Sequence, residues 1–370
     1  MHRGFLMGAA ALLLFTGALA TRIAAAKPNS NSAAAVDSTS CDRACLDRVV
    51  NQYLDALVAH DPSRVPLKKN AKFTEDGQRL AIGDGFWRTA NARGTFEFYM
   101  EDVPAGQVVV LGTMREAAHP VSLVLRLKIE DRKISEVETI VVRQGMFGNR
   151  PSDTGATDLE KLGGPDPLFL QDVPPGQRVS RDELAKTANK YFSGMQLNDG
   201  KGDYSFFADD CSRVENGVVA TNGHEGEGGQ IGRGGSQNNS VQNRSNQTTP
   251  NRNTSYAALS GCRAQFQSGL LHFVTRIRDR RFVILDTERG VALAFTFFDH
   301  AAGDTRTFQT PDGKTVTAGP TEPWTWEIAE AFKVENGQIH RILAIFHRCP
   351  YGMSSGWSTW EESMSDRARW

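Results

Sequence analysis

Leu46-Asp-Arg-Val-Val-Asn-Gln-Tyr53-Leu-Asp-Ala-Leu57 and Leu184-Ala-Lys-Thr-Ala-Asn-Lys-Tyr191-Phe-Ser-Gly-Met195 are two copies of one pattern. Both carry apolar residues at helical spacing and a tyrosine at the same step, so each predicts an amphipathic helix. Further along, Phe73-Thr-Glu75-Asp-Gly77 matches Arg213-Val-Glu215-Asn-Gly217. Leu125-Arg-Leu-Lys-Ile-Glu-Asp-Arg-Lys-Ile134 matches Glu330-Ala-Phe-Lys-Val-Glu-Asn-Gly-Gln-Ile339, a strand, a tight polar turn and a second strand. Between helix and hairpin, Gln107–Arg115 in the first copy, and Phe282–Asp286 and Val291–Asp299 in the second, read as further strands. An internal repeat of this length predicts two tandem domains. A helix followed by a strand-rich half predicts the α+β class, with helices packed on one face of a curved antiparallel sheet.

The repeat sets the boundaries. The short basic start and apolar run to Phe15, ended by Ala18-Leu19-Ala20, predict a signal peptide over residues 1–20. Residues 21–40 read as a flexible leader, 41–143 as the first domain and 144–180, with Gly-Gly-Pro-Asp-Pro and Val-Pro-Pro-Gly, as a linker. The second domain spans 181–370. Its residues 218–260, rich in Gly, Asn, Ser and Gln, predict a disordered insert with Asn-x-Ser/Thr acceptors at Asn238, Asn243, Asn246 and Asn253. The expected location is therefore exported, periplasmic or extracellular. No later stretch is apolar enough for a membrane span, so no membrane contact is expected after signal cleavage.

Lys and Arg total 42 against 43 Asp and Glu, a net charge of −1, so no global field draws nucleic acid. There is no basic stripe with interleaved aromatics, no zinc-type spacing, no Walker loop and no dinucleotide glycine fingerprint, which leaves no cofactor and no metal expected. The five cysteines are Cys41, Cys45, Cys211, Cys262 and Cys349. A Cys211–Cys262 disulfide would tie off the insert at its base. A Cys41–Cys45 bridge is disfavoured by regular helical geometry, and Cys349 is left as the unpaired thiol.

The order of elements resembles the family that includes nuclear transport factor 2, the polyketide cyclases, scytalone dehydratase and ketosteroid isomerase. Tyr53-Leu-Asp-Ala-Leu-Val-Ala-His60-Asp61 is similar to its first helix and following turn, and Phe206-Phe-Ala-Asp-Asp210-Cys-Ser-Arg-Val-Glu215 to the segment entering its first strand. Phe73-Thr-Glu-Asp-Gly, Arg278-Asp-Arg-Arg-Phe, Phe297-Phe-Asp-His300 and Pro350-Tyr-Gly-Met-Ser-Ser-Gly-Trp357 resemble a two-domain group of exported proteins of undefined function. The resemblance implies two cones, each enclosing a mostly apolar pocket. It also implies three roles in the second domain. Tyr191 stands at the helix tyrosine, Glu215 at the carboxylate base and Glu330 at the protonated acid, with glutamate for aspartate at both acids.

Strand parity supports Glu330 independently. Trp326, Ile328, Glu330, Phe332 and Val334 share one strand face, and Glu330 is the lone acid on it. Desolvation there predicts a raised pKa and a neutral carboxyl able to donate to an oxyanion. The competing expectation pairs Glu330 with Arg276 or Arg278. Trp326, Ile328 and Phe332 are then pocket lining. In the first domain Tyr53 and Glu75 remain but Leu125 replaces the third group, so that domain reads as a binding or scaffolding copy. Asp299 and His300 are strand neighbours pointing to opposite faces, a poor basis for one site. His60-Asp61 reads as a helix end, and His272 and His347 as core histidines. Pro350–Trp357 is weighed evenly as a cover for a pocket mouth or as packing between the domains.

Together these expectations point to a cofactor-independent lyase or isomerase acting on a small apolar or aromatic molecule by general acid–base catalysis. The alternative is a non-catalytic exported protein that binds a small hydrophobic molecule or a protein partner. A homo-oligomer is compatible with either.

Overall fold

A computed structural model describes residues 41–143, 155–222, 261–309 and 315–370. The expected signal peptide, leader and glycan acceptors lie outside them. In the first domain α1 (Arg43–Val58) is capped by Asp42, whose carboxylate accepts from the Cys45 amide. Six strands follow: β1 (Leu67–Glu75), β2 (Gln78–Leu80), β3 (Ala90–Asp102), β4 (Gln107–Glu116), β5 (His119–Glu130) and β6 (Lys133–Val142). They lie in the order β2-β1-β6-β5-β4-β3. A short helix, α2 (Ala156–Leu162), leads towards the second domain.

That domain repeats the plan. A Ser180–Glu183 capping box starts α3 (Arg181–Met195). β7 (Phe207–Glu215), β8 (Val218–Val219), α4 (Cys262–Gln267), β9 (Arg276–Asp286) and β10 (Val291–His300) come next. A small hairpin, β11 (Arg306–Gln309) with β12 (Thr315–Ala318), precedes β13 (Trp324–Glu335), β14 (Gln338–Cys349) and α5 (Trp360–Met364). The main sheet runs β8-β7-β14-β13-β10-β9, strand for strand the order of the first. Both sheets are antiparallel except for one parallel pair each, β1 with β6 and β7 with β14. The chain is thus α+β with two tandem domains. Asp76-Gly77, Asp131-Arg132, Asn216-Gly217 and Asn336-Gly337 all have positive φ at both positions, the conformation of two-residue hairpin turns. The turn residues read from the sequence therefore fix the register of both repeats.

Each sheet is buried on both faces. Its concave face packs on its own helix: Val108, Val110, Leu125 and Leu127 against α1, and Ile328, Phe332, Ile342 and Ala344 against α3. The opposite faces form a third core between the domains, with Phe98, Val109, Leu111 and Val124 on one side and Ile284, Leu293, Phe295, Leu343 and Ile345 on the other. That explains the unbroken apolar runs Val108-Val-Val-Leu111 and Val291–Phe298, since strands covered on two sides lose polar alternation.

Three expectations change, two of them boundaries. Residues 155–180 are not a bare linker, because Leu159 and Phe169 bury into the interdomain core. The insert starts later than residue 218, since Val218–Val219 pair with β7 and Ala220 and Thr221 are buried. Cys41 and Cys45 are bonded, at a Cα separation of 5.2 Å. Cys41 precedes the cap residue Asp42 and so escapes the helical geometry that argued against the bridge.

Candidate functional site

Parity along β13 places Glu330 on the concave face of the second sheet, next to α3. It pairs with Ala294 on β10 and Ala344 on β14, and Ala344 pairs in turn with Glu215 on β7. Glu215 and Glu330 therefore lie in one row two strands apart, about 10 Å between Cα atoms at ordinary strand spacing. The same row in the first domain reads Glu75, Thr139, Leu125, Val110. The second domain has acid and alanines where the first has bulkier, mostly apolar side chains.

Sequence reasoning missed the residue that organises this row. Arg213 lies two positions before Glu215 on the same face of β7, fully buried at 1% exposure. Its Nη1 donates to the Tyr191 hydroxyl at 3.1 Å and its Nη2 to Gln265 Oε1 at 2.9 Å. Its Nε lies 3.2 Å from Glu215 Oε1. Tyr191 is hydrogen-bonded to Glu330. Tyr191, Glu215 and Glu330 are thus brought together around a guanidinium. The signal was available: parity from Glu215 runs through Arg213 to Cys211. Arg276 and Arg278, the partners considered for Glu330, instead hold Asp299 at 2.6 and 2.8 Å.

Burial pushes the Glu330 carboxyl up to about 8, with Glu215 nearby adding to the rise and Tyr191 and Arg213 opposing it. The group is neutral at pH 7. Its Oε2 is buried without a hydrogen-bond partner among the described residues. Burial also raises the Tyr191 phenol well above its ordinary value. The Cys211–Cys262 disulfide, with Cα atoms 5.8 Å apart, fastens α4 beside β7. Gln265, three residues after Cys262, thereby reaches both Arg213 and the carbonyl of Ala220, the latter at 2.5 Å.

The surroundings are aromatic. The Tyr191 ring contacts Phe192, Phe207, Phe266 and Phe332 at centroid distances of 5.2–6.2 Å. Ile328 is buried in the same core, and Trp326, half-buried, packs on Phe346 and His300. His300 stacks on Trp324 at 3.6 Å, and its own burial depresses its pKa to about 3, so it is neutral. In the first domain Phe73 stands where the second has Arg213. Tyr53 accepts from Trp87 Nε1 at 2.8 Å, and Glu75 accepts from the Phe86 amide at 2.7 Å and pairs with Arg143. At the places of Arg213 and Glu330 that copy has Phe73 and Leu125, neither a guanidinium nor an acid. The Pro350–Trp357 segment seats on the first domain, with Trp357 Nε1 donating to Thr74 Oγ1 at 2.8 Å and the Arg126 guanidinium over its ring.

A second constellation forms between the domains. Asp76, Glu327 and His347 bring three donor atoms within 4.8 Å of one another. They come from two domains and three elements, so no spacing in the sequence announces them.

The chain belongs to the family described as "Domain of unknown function (DUF8021)", which matches residues 39–141 and 177–346. The two matched segments fit the tandem organisation. No curated protein matches the chain. Among solved structures it is similar to a protein of unknown function with a cystatin-like fold from Methylobium petroleophilum PM1. The two share 12% identity at a TM-score of 0.24, over 28% of this chain and 78% of that one.

Proposed function

We propose that this is an exported protein of the ketosteroid-isomerase-like type whose second domain is a cofactor-independent lyase or isomerase for a small apolar or aromatic molecule. The observation that carries the reading is the buried Oε2, without a partner among the described residues, of a Glu330 carboxyl held neutral at pH 7. An unsatisfied buried polar atom costs about 1–3 kcal/mol. The first domain folds with Leu125 in the same place, so the fold does not require the acid. A donor retained at such a cost suits a ligand oxygen.

In this scheme Glu215, part-exposed, takes a proton from a carbon next to a carbonyl or similar group. Electron density moves to the ligand oxygen, which accepts a hydrogen bond from Glu330 Oε2–H. Returning the proton to another carbon gives an isomerase, and expelling a β-substituent gives a lyase. Tyr191 is better suited to position Glu330 than to bind the oxyanion itself, because its hydroxyl is engaged by Arg213 and Glu330. Arg213 balances the charge of Glu215 and sustains Tyr191. Ala294 and Ala344, smaller than Val110 and Thr139 of the first domain, flank Glu330. The two disulfides favour an oxidising compartment, and no helix of the described residues is long and apolar enough to cross a membrane.

The second reading is a non-catalytic binder, favoured by the aromatic ring of four phenylalanines around Tyr191. A thermal-shift screen of small aromatic and alicyclic carbonyl compounds, followed by turnover of each hit, separates the two. The enzyme reading expects a hit that wild type converts and Glu215→Gln binds without converting. Hits that no variant converts support the binder, and full turnover by Glu215→Gln removes Glu215 as base.

A further inference from the structure

Glu327 and His347 are direct cross-strand partners on β13 and β14, on the face turned away from Glu330. Asp76 reaches them from the β1–β2 turn of the other domain. His347 Nδ1 lies 3.0 Å from the Arg348 carbonyl oxygen, to which it donates. In the neutral imidazole this leaves a lone pair on Nε2. That nitrogen faces Glu327 Oε2 at 3.0 Å and Asp76 Oδ1 at 3.7 Å. Three lone-pair donors turned on one another need a proton or a metal ion between them.

We propose that Asp76, Glu327 and His347 bind one divalent transition-metal ion of the zinc class and so clip the first domain to the second. Tetrahedral zinc with nitrogen and carboxylate ligands at about 2.0–2.1 Å sets its donors about 3.3 Å apart. The two separations from Nε2 bracket that spacing, and the two carboxylate oxygens lie within 4.8 Å of each other. The outer contacts are those a metal site uses. The Arg348 carbonyl fixes the imidazole tautomer, and the Val141 amide donates to Asp76 Oδ1 at 2.8 Å. Arg143 Nη1, 3.4 Å from Asp76 Oδ2, steadies the other oxygen. Glu327 and His347 are buried, while the Asp76 side chain keeps some exposure and gives the ion its way in. One imidazole with two carboxylates suits zinc, and calcium and magnesium prefer oxygen alone. Two carboxylates and neutral histidine around a dication make a neutral cluster, which lowers the cost of burying it. The fourth position is left to water.

The test uses the full mature chain, stripped with a chelator and dialysed. Zn2+ is titrated by calorimetry, and Co2+ by visible absorption as a geometry probe. One equivalent per chain, tetrahedral Co2+ bands and a raised Tm are expected. His347→Gln and Asp76→Asn should each weaken Zn2+ binding by about 100-fold or more, exceeding the effect of losing an outer-shell contact. Absent stoichiometric uptake by the wild-type chain would overturn the proposal and leave a protonated His347 between two carboxylates. Uptake unchanged in both variants would place the metal elsewhere and overturn it equally. The wild-type titration decides the matter even where a variant fails to fold.

Discussion

Glu330→Gln should make the protein more stable at alkaline pH and leave it nearly unchanged at acid pH. The folded carboxyl titrates near 8, against an ordinary value of 4.5. Between those values the folded chain holds a proton that the unfolded chain has released. This carboxyl therefore adds no penalty below about 4.5, and stability is lost progressively as the pH rises through about 8. Linkage over that interval gives a penalty of about 1 kcal/mol at pH 5 and about 4–5 kcal/mol at pH 8.5. Glutamine keeps the shape and an oxygen for Tyr191 but cannot ionise, so it escapes the penalty. Asp76 and Glu101 are both raised to about 7, and Glu327 is raised too, so the wild-type profile alone mixes several groups. The difference between variant and wild type cancels them. Urea unfolding at a series of pH values should show that difference growing by about 4 kcal/mol in favour of the variant from pH 5 to pH 8.5. A difference that stays flat to within about 1 kcal/mol would mean that Glu330 ionises like a solvated acid, and would refute the desolvation argument.

Replacing Arg213 alone by Phe should cost about 3–5 kcal/mol by leaving Glu215 and Tyr191 without their partner. The double change Arg213→Phe with Glu215→Leu, which removes the acid left stranded, should recover part of it in the same unfolding assay. Cys211→Ser with Cys262→Ser opens a loop of 51 residues and should lose about 4 kcal/mol by the loop-closure model, with non-reducing peptide mapping confirming the wild-type pair. Leu343→Ala, in the core between the sheets, should cost about 2–5 kcal/mol and expose both domains to proteolysis together.

The fold was legible because the repeat appears three times over: the helix tyrosines Tyr53 and Tyr191, the Glu-Asp-Gly and Glu-Asn-Gly turns, and the closing hairpins. Each is a local signal, set by helical period or by backbone turns that demand positive φ. The packing of one sheet on the other was less legible, because an unbroken apolar run such as Val108–Leu111 shows that both faces are covered without saying by what. Residues 155–180 were read as linker from their prolines and glycines, yet Leu159 and Phe169 gain their burial only from the interdomain core. At the site, parity along β13 located Glu330, and the same step along β7 would have found Arg213. Asp76, Glu327 and His347 carried no such signal, since their meeting depends on how the two domains dock.

Solvent exchange at carbon tests the proposed chemistry most directly. Each carbonyl compound found to bind would be incubated with the protein in D2O, and deuterium entering the carbon next to the carbonyl followed by NMR. Wild type should accelerate exchange, Glu330→Gln should slow it by about 10²–10³-fold, as expected for losing one oxyanion donor, and Glu215→Gln should abolish it. Tight binding with exchange no faster than in buffer, the same in all three proteins, would contradict the acid–base account and leave the second domain a binding cone.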